Sequence, residues 1–257
     1  MIKEDEGHRF PTYPYPWELV AKIAFSVLFL RHRSFRQDAI RAISGLSPAP
    51  HFYGLENVPK EGPCLLTLNH YYRPGYGAWW SVLAITSVVS LDIHWVMTGT
   101  LTYPGQRRGV ILKPLSTWLL HRLGRIYGFT NMPAMPPDPR EVEQRAASVR
   151  ELATYAHQVE KPVIGLAPEG RDILSGTLGE LPSGAGRLMA FLARQGLVFL
   201  PIGVYEDEGV QHVSFGKPYI LEVKAGLSHQ ELDDAVAQVV MDAIAQQLPS
   251  RMHGKYG

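Results

Sequence analysis

The sequence predicts an α/β protein, a mostly parallel central sheet flanked by helices with a helical appendage at the N-terminus. Three observations carry this. Apolar runs at Cys64–Leu68, Ile93–Met97, Pro162–Leu166 and Val198–Val204 are short and nearly uninterrupted, as expected of strands buried on both faces. Longer segments with helical spacing separate or follow them, at Tyr76–Ser90, Leu115–Leu123, Arg140–Val159 and Gly186–Arg194. Strands that alternate with helices argue for crossover connections and a parallel sheet.

The remaining elements follow from local chemistry. Residues 1–16 hold three prolines and three aromatics and read as an irregular arm. From Trp17 a helix is expected, because Leu19, Val20, Ile23, Ala24, Val27 and Leu30 recur at helical spacing. Arg31, His32, Arg33 and Arg36 follow it. Two readings fit this segment: an interfacial helix with its basic cluster near anionic headgroups, or an ordinary helix packed on the core. Val213–Phe215 and Tyr219–Val223 read as two further strands. A last helix spans Ser228–Leu248, with Ser228 as N-cap and Glu231 three residues on. Pro133–Pro139 contains four prolines in seven residues and reads as a loop. The division expected is an arm with amphipathic helices over 1–50 and an α/β domain over 51–257.

Composition narrows the function. With 46% hydrophobic and 19% charged residues the chain can bury a core. A formal net charge of +1 gives no reason to expect nucleic acid. The single cysteine, Cys64, has no internal partner and reads as buried and inert. Lys3, Glu4, Asp5 and Glu6 open the chain and argue against a signal peptide. The stretch from Trp17 is broken by Glu18 and Lys22, too early for a spanning helix. Trp79, Trp80 and Trp95 read as core or channel-lining residues. There is no nucleophile elbow, no P-loop and no histidine spacing suited to a metal.

Ligands of α/β sheets bind at the carboxyl ends of strands, and polar residues stand there. Leu65-Leu66-Thr67-Leu68-Asn69-His70 ends a buried run on a histidine, the side chain best matched to proton transfer near neutral pH. A strand-end histidine alone also suits a structural role. Ile164-Gly165-Leu166-Ala167-Pro168-Glu169-Gly170-Arg171 ends on a constrained turn with Glu169 at its apex; a solvated turn is the plain alternative. Val198-Phe199-Leu200-Pro201-Ile202-Gly203-Val204 carries a proline, which suggests an edge, a bulge or a strand start.

In this order these segments resemble the glycerolipid acyltransferase family, which includes the lysophosphatidic acid acyltransferases. The family's motifs are Asn-His, four residues, then Asp; a later Pro-Glu-Gly-Thr-Arg; and an apolar strand around Val-Pro-Val. Leu181-Pro182-Ser183-Gly184-Ala185-Gly186-Arg187-Leu188 resembles its Lys-Gly-Ala stretch, and Phe215-Gly216-Lys217-Pro218-Tyr219-Ile220 its Gly-Glu-Pro strand. The resemblance runs from about Gly54 to the C-terminus. It implies the fold of that family and His70 as general base. His70 would take a proton from an acceptor hydroxyl attacking the thioester of an acyl-CoA or acyl-carrier protein. It implies no metal and no cofactor beyond that co-substrate. Glu169 with Gly170 would shape the acceptor site, and the turn and helix from Tyr76 would help line an acyl channel.

Three departures qualify the resemblance. Gly75 stands five residues after His70, where the family has the Asp that would orient the imidazole. In Gly124-Arg125-Ile126-Tyr127-Gly128-Phe129-Thr130, Thr130 stands where the second motif has arginine. Arg171 and Asp172 stand where the third motif has Thr and Arg. The lost arginines are of the kind that grip a phosphate, although Arg171, Arg125 or Arg187 could compensate.

The candidate catalytic residues are therefore His70, Glu169 and Asp172, with Asp172 replacing the missing orienter and Asp92 and Asp207 as other carboxylates that could. The candidate substrate contacts are Asn69, Arg73, Gly170, Arg171, Arg125, Thr130 and Arg187. The expected partners are an acyl thioester and a lipid-like acceptor that need not carry phosphate. The expected location is cytoplasmic, peripheral on the inner face of the cell membrane. A non-catalytic descendant that binds acyl chains or lysolipid is the competing reading.

Overall fold

The computed structural model describes residues 10–101, 109–135 and 138–257. The charged start at Lys3–Glu6 and the middle of the Pro133–Pro139 loop lie outside the described residues.

Two helices come first, α1 (Trp17–Phe29) and α2 (Phe35–Ile43). The α/β part runs β1 (His51–Tyr53), β2 (Cys64–Leu68), α3 (Trp79–Val88), β3 (His94–Thr98), α4 (Gly109–Tyr127), β4 (Thr130–Met132), α5 (Val142–Gln158), β5 (Val163–Leu166), α6 (Ala185–Arg194), β6 (Val198–Asp207), β7 (Val210–Phe215) and α7 (His229–Ala245). Among the described residues the seven strands form one sheet in the order β1-β7-β6-β2-β5-β3-β4. Every neighbouring pair is parallel except β6 and β7. Those two form a hairpin closed by Glu208 and Gly209, both at positive φ, as a two-residue turn matched to the strand twist requires.

Layering follows from residue alternation along buried strands. Cys64, Leu66 and Leu68 of β2 pack with Leu200, Ile202 and Val204 of β6 into a core that includes α2 and α3. Leu65, Ile164 and Phe199 face the other side, against α5, α6 and α7. The α6–α7 contact is close: a Cβ on Gly186 would stand 2.2 Å from the Asp233 carbonyl oxygen.

Several expectations change. Pro201 does not mark an edge or a strand start; it lies inside β6, between β2 and β7. Its missing N–H falls at the point where the neighbouring chain leaves the ladder, between Gly216, which donates to the Pro201 carbonyl, and Tyr219, bridged to Phe199. No ladder bond is lost there. Tyr219–Val223 is not a strand but that one bridge, because β6 begins at Val198 and offers no further partner.

Helix α1 is divided: Leu19 and Ile23 pack on the core, while its other side is exposed. It buries only Leu19, Ser26 and Val27, while Trp17 is 73% exposed, Phe29 62% and Leu28 59%. Helix α2 behaves oppositely. Ser34 caps it by accepting from the Gln37 N–H, and Ala39, Ala42 and Ile43 are buried, the last two in the core that α3 shares. No helix among the described residues is long and apolar enough to cross a membrane.

Candidate active site

The site is built by two adjacent parallel strands. β2 and β5 run in register from Cys64↔Val163 to Thr67↔Leu166. Three residues past that last pair, one strand presents His70 and the other Glu169. Asn69 fixes the exit of β2. Its side-chain amide donates to the Val204 carbonyl at 2.8 Å and its oxygen accepts from the Val204 N–H at 2.7 Å, so the side chain extends the β2–β6 ladder by one step. Asn69 is 3% exposed, its amide is engaged in this pairing, and it borders the crevice beside His70.

Glu169 is engaged in the same way. It is 1% exposed, and its two oxygens accept from the backbone N–H groups of His70 and Gly179, each at 2.6 Å. Burial raises its pKa, against the pull of those two donors and of the His70 and Arg171 charges. The carboxylate is a bracket between the His70 backbone and the 176–180 loop, and it also lines the crevice beside His70.

Asp172 approaches the imidazole itself. Its Oδ1 lies 3.3 Å from His70 Nδ1, with Asp172 half exposed and the His70 side chain 22% exposed. The contact is ion-pair close, but the oxygen is off the N–H axis and Nδ1 has no directed hydrogen bond. The other candidate carboxylates are elsewhere: Asp207 pairs with Arg251 at 3.2 Å, and Asp92 is exposed beyond the end of α3.

Gly75 explains why no acid stands at its own position. Tyr76 N–H donates to the Arg73 carbonyl around Pro74 and Gly75, with Gly75 at φ +81°, the arrangement of a type II turn. An aspartate there would have to adopt a left-handed backbone.

The crevice beside His70 is about 10 Å³, lined also by Tyr72, Ile173, Thr177, Leu178 and Met252. That is room for about one water. Tyr76, at the start of the segment expected to line an acyl channel, is 8% exposed, hydrogen-bonded to Ser81 and Gln211 and part of the core. Trp80 and Trp95 are buried as expected, whereas Trp79 is 52% exposed.

No protein-family model matches the sequence, and no curated protein sequence is similar to it. The fold does have a counterpart. It is similar to the crystal structure of the 1-acyl-sn-glycerophosphate (LPA) acyltransferase PlsC from Thermotoga maritima, with TM-score 0.51 and 15% identity, over 90% of this chain and 95% of that one. The two chains share a fold.

Within that fold the remaining expected contacts scatter. Thr130 is fully buried, its hydroxyl 2.9 Å from Nε2 of His94, so it is closed to a ligand. Arg73 is held by the buried carboxylate of Glu206 through Nε and, at 3.0 Å, Nη2; it too is committed inside the protein. Arg125 lines a separate cavity of about 430 Å³ between α4, β4 and α5, with His121, Gln144 and Glu151. That cavity shares no lining residue with the His70 crevice. Arg187 is exposed in the first turn of α6, where its backbone N–H and that of Gly184 donate to Asp233. Only Gly170 and Arg171 remain exposed beside Asp172. Gly170, at φ +63°, closes the turn from Ala167. Met252 and Thr177 were not foreseen, since they come from the C-terminal tail and a polar loop without a recognisable motif.

Proposed function

We propose that this chain is an acyltransferase that moves an acyl group from an acyl-CoA or acyl-carrier protein thioester to a hydroxyl of a lipid-like acceptor. The observation that carries the reading is the approach of Asp172 to His70 at the carboxyl end of β2, in a fold shared with an LPA acyltransferase. With Nδ1 facing a carboxylate, Nε2 is the nitrogen left to accept a proton. The acceptor hydroxyl gives its proton to Nε2 as its oxygen bonds to the thioester carbonyl carbon. The carbon–sulfur bond then breaks, and the thiolate recovers the proton from the imidazolium. Asp172 stabilises that imidazolium, the service that a carboxylate performs in a serine-protease triad. The crevice has room for about one water, so this reading requires it to widen when a thioester binds.

The acceptor need not carry phosphate. One expected arginine position, Thr130, is buried, and the other places an acid, Asp172, beside the base. This reading places the protein peripherally on the inner face of the cell membrane, and the surface of α1 supports membrane contact as such. Trp17, Phe25, Leu28 and Phe29 are exposed on α1, and Leu115, Trp118 and Leu119 on α4, with which α1 is in contact.

A second reading, a non-catalytic protein that binds acyl chains or lysolipid, is favoured by the misdirected Nδ1 and the small crevice. Thioester consumption with varied hydroxyl acceptors separates the two. The acyltransferase reading expects turnover that His70→Ala lowers steeply to a small residual rate; equal rates in the two proteins would sink it.

A further inference from the structure

Glu206 lies near the end of β6, in the part paired only with β7, and its side chain is fully buried. Arg73 donates to both of its oxygens, Tyr13 donates to Oε1 at 2.6 Å, and Tyr71 donates to Oε2 at 3.0 Å. A buried carboxylate needs such donors, and here they come from two stretches of chain. Tyr71 and Arg73 belong to the segment that leaves His70. Tyr13 belongs to the arm ahead of α1.

The arm adds further hold on the same segment. Arg73 Nη2 donates to the Pro11 carbonyl at 3.2 Å, and the Arg73 guanidinium lies 4.6 Å from the centre of the Phe10 ring. Tyr13 stacks on Trp80 with centroids 4.9 Å apart, and Tyr15 reaches both Trp80 and Trp17, the first residue of α1. A continuous set of contacts thus joins the start of the exposed helix to the residues that follow His70. The Pro74-Gly75 turn carries no carboxylate to hold this segment locally; Glu206 holds it from the neighbouring strand.

We infer that the arm, acting through Tyr13, Glu206 and Arg73, is a strap that sets the position of His70, so that the base depends on how the N-terminal segment is seated. Tyr13, Glu206 and Arg73 are positioning residues, none of them in contact with the reacting atoms. The inference rests on the reading of His70 as the base.

The test uses the full chain with Tyr13→Phe and Glu206→Gln and reads the ring nitrogens of His70 by two-bond ¹H–¹⁵N correlation across pH, assigned by comparison with His70→Ala. Tyr13→Phe removes one hydroxyl that never touches His70, and the expected result is displaced His70 resonances in a protein that still melts cooperatively. Turnover of the thioester should fall about tenfold with its KM unchanged, as for a small misplacement of a catalytic group. Glu206→Gln should move the same resonances further; if it does not fold, Tyr13→Phe decides alone. Superimposable resonances in folded Tyr13→Phe, or displaced resonances with unaltered turnover, overturn the strap. If the unmodified protein consumes no thioester, the acyltransferase reading falls, and the resonances by themselves then decide whether the arm positions His70.

Discussion

Asp172 Oδ1 stands 3.3 Å from Nδ1 of His70, although the two residues lie far apart in the chain and no motif pairs them. Parallel register brings them together. β2 and β5 end side by side, Glu169 clamps the backbone of His70, and the turn at Gly170 carries Asp172 back towards the ring. A carboxylate thus reaches the His70 ring from a neighbouring strand end, at a place where no left-handed backbone is required of it.

The first prediction concerns this pair. Asp172→Asn should lower the rate of thioester consumption by about 10- to 100-fold, less than the roughly 10⁴ seen when a buried triad aspartate is replaced. The smaller effect is expected because Asp172 is half exposed and off the N–H axis. Combining it with His70→Ala should cost nothing beyond His70→Ala alone, since the acid acts only through the ring. Additive losses in the double variant would give Asp172 a separate role.

The second prediction concerns Glu169. Glu169→Gln places an amide group against one of two backbone N–H donors in a buried space. Leaving a buried donor unpaired costs about 1–3 kcal/mol, which denaturant unfolding would register. Gly179→Ala should act on the same bracket, because a Cβ there would stand 2.4 Å from Ile173 Cδ1 and 3.3 Å from Glu169 Oε1. Both variants should also lose turnover in the folded fraction, as the backbone of His70 shifts. Full stability in Glu169→Gln would remove the structural role assigned to it.

The third prediction is a pH dependence of stability. His94 is buried between Thr130 and the Tyr155 ring, 3.9 Å away between centroids, and burial lowers its pKa to about 4. The unfolded chain binds a proton there below about 6.5, while the folded chain stays neutral down to about 4. Stability from this group is therefore complete above about 6.5 and is lost as pH falls towards 4, by about 3 kcal/mol in all. Chemical denaturation at pH 7 and pH 5 should show the loss, and His94→Gln should flatten it. An unchanged slope in that variant would place the pH sensitivity elsewhere.

How much of this was legible beforehand depended on run length and on range. Cys64–Leu68 is a strand with the bounds its apolar run implied, and the α7 capping box at Ser228 and Glu231 formed as read. The three-residue strands β1 and β4 carry too little periodicity to be seen. Thr130 looked like a lost phosphate contact because its place in a motif says nothing of depth; it closes the strand onto His94 instead. Arg73 looked available because its partner, Glu206, is reached only through the fold. The proximity of Asp172 to His70 was conceivable from the turn chemistry, but its distance was set by strand register, which no local pattern encodes.

The last prediction concerns the surface of α1. Deleting residues 1–36 would be a blunt test, because it also removes the Ser34 cap of α2 and the Arg33–Asp38 pair, whose shorter contact is 2.6 Å, against a nearly buried aspartate. Trp17→Ser with Phe25→Ser and Phe29→Ser alters only side chains that are 73%, 48% and 62% exposed. Exposed side chains contribute little to the folded core, so melting should stay within a few degrees. At an interface the same rings would be buried, at roughly 25 cal/mol per Å² of apolar area. Binding to anionic vesicles in a flotation assay should therefore fall by about tenfold or more. The residual binding should be salt-sensitive, because what remains is the basic cluster after α1. Wild-type binding that is already absent, or unchanged in the triple variant, would leave these aromatics without a membrane partner.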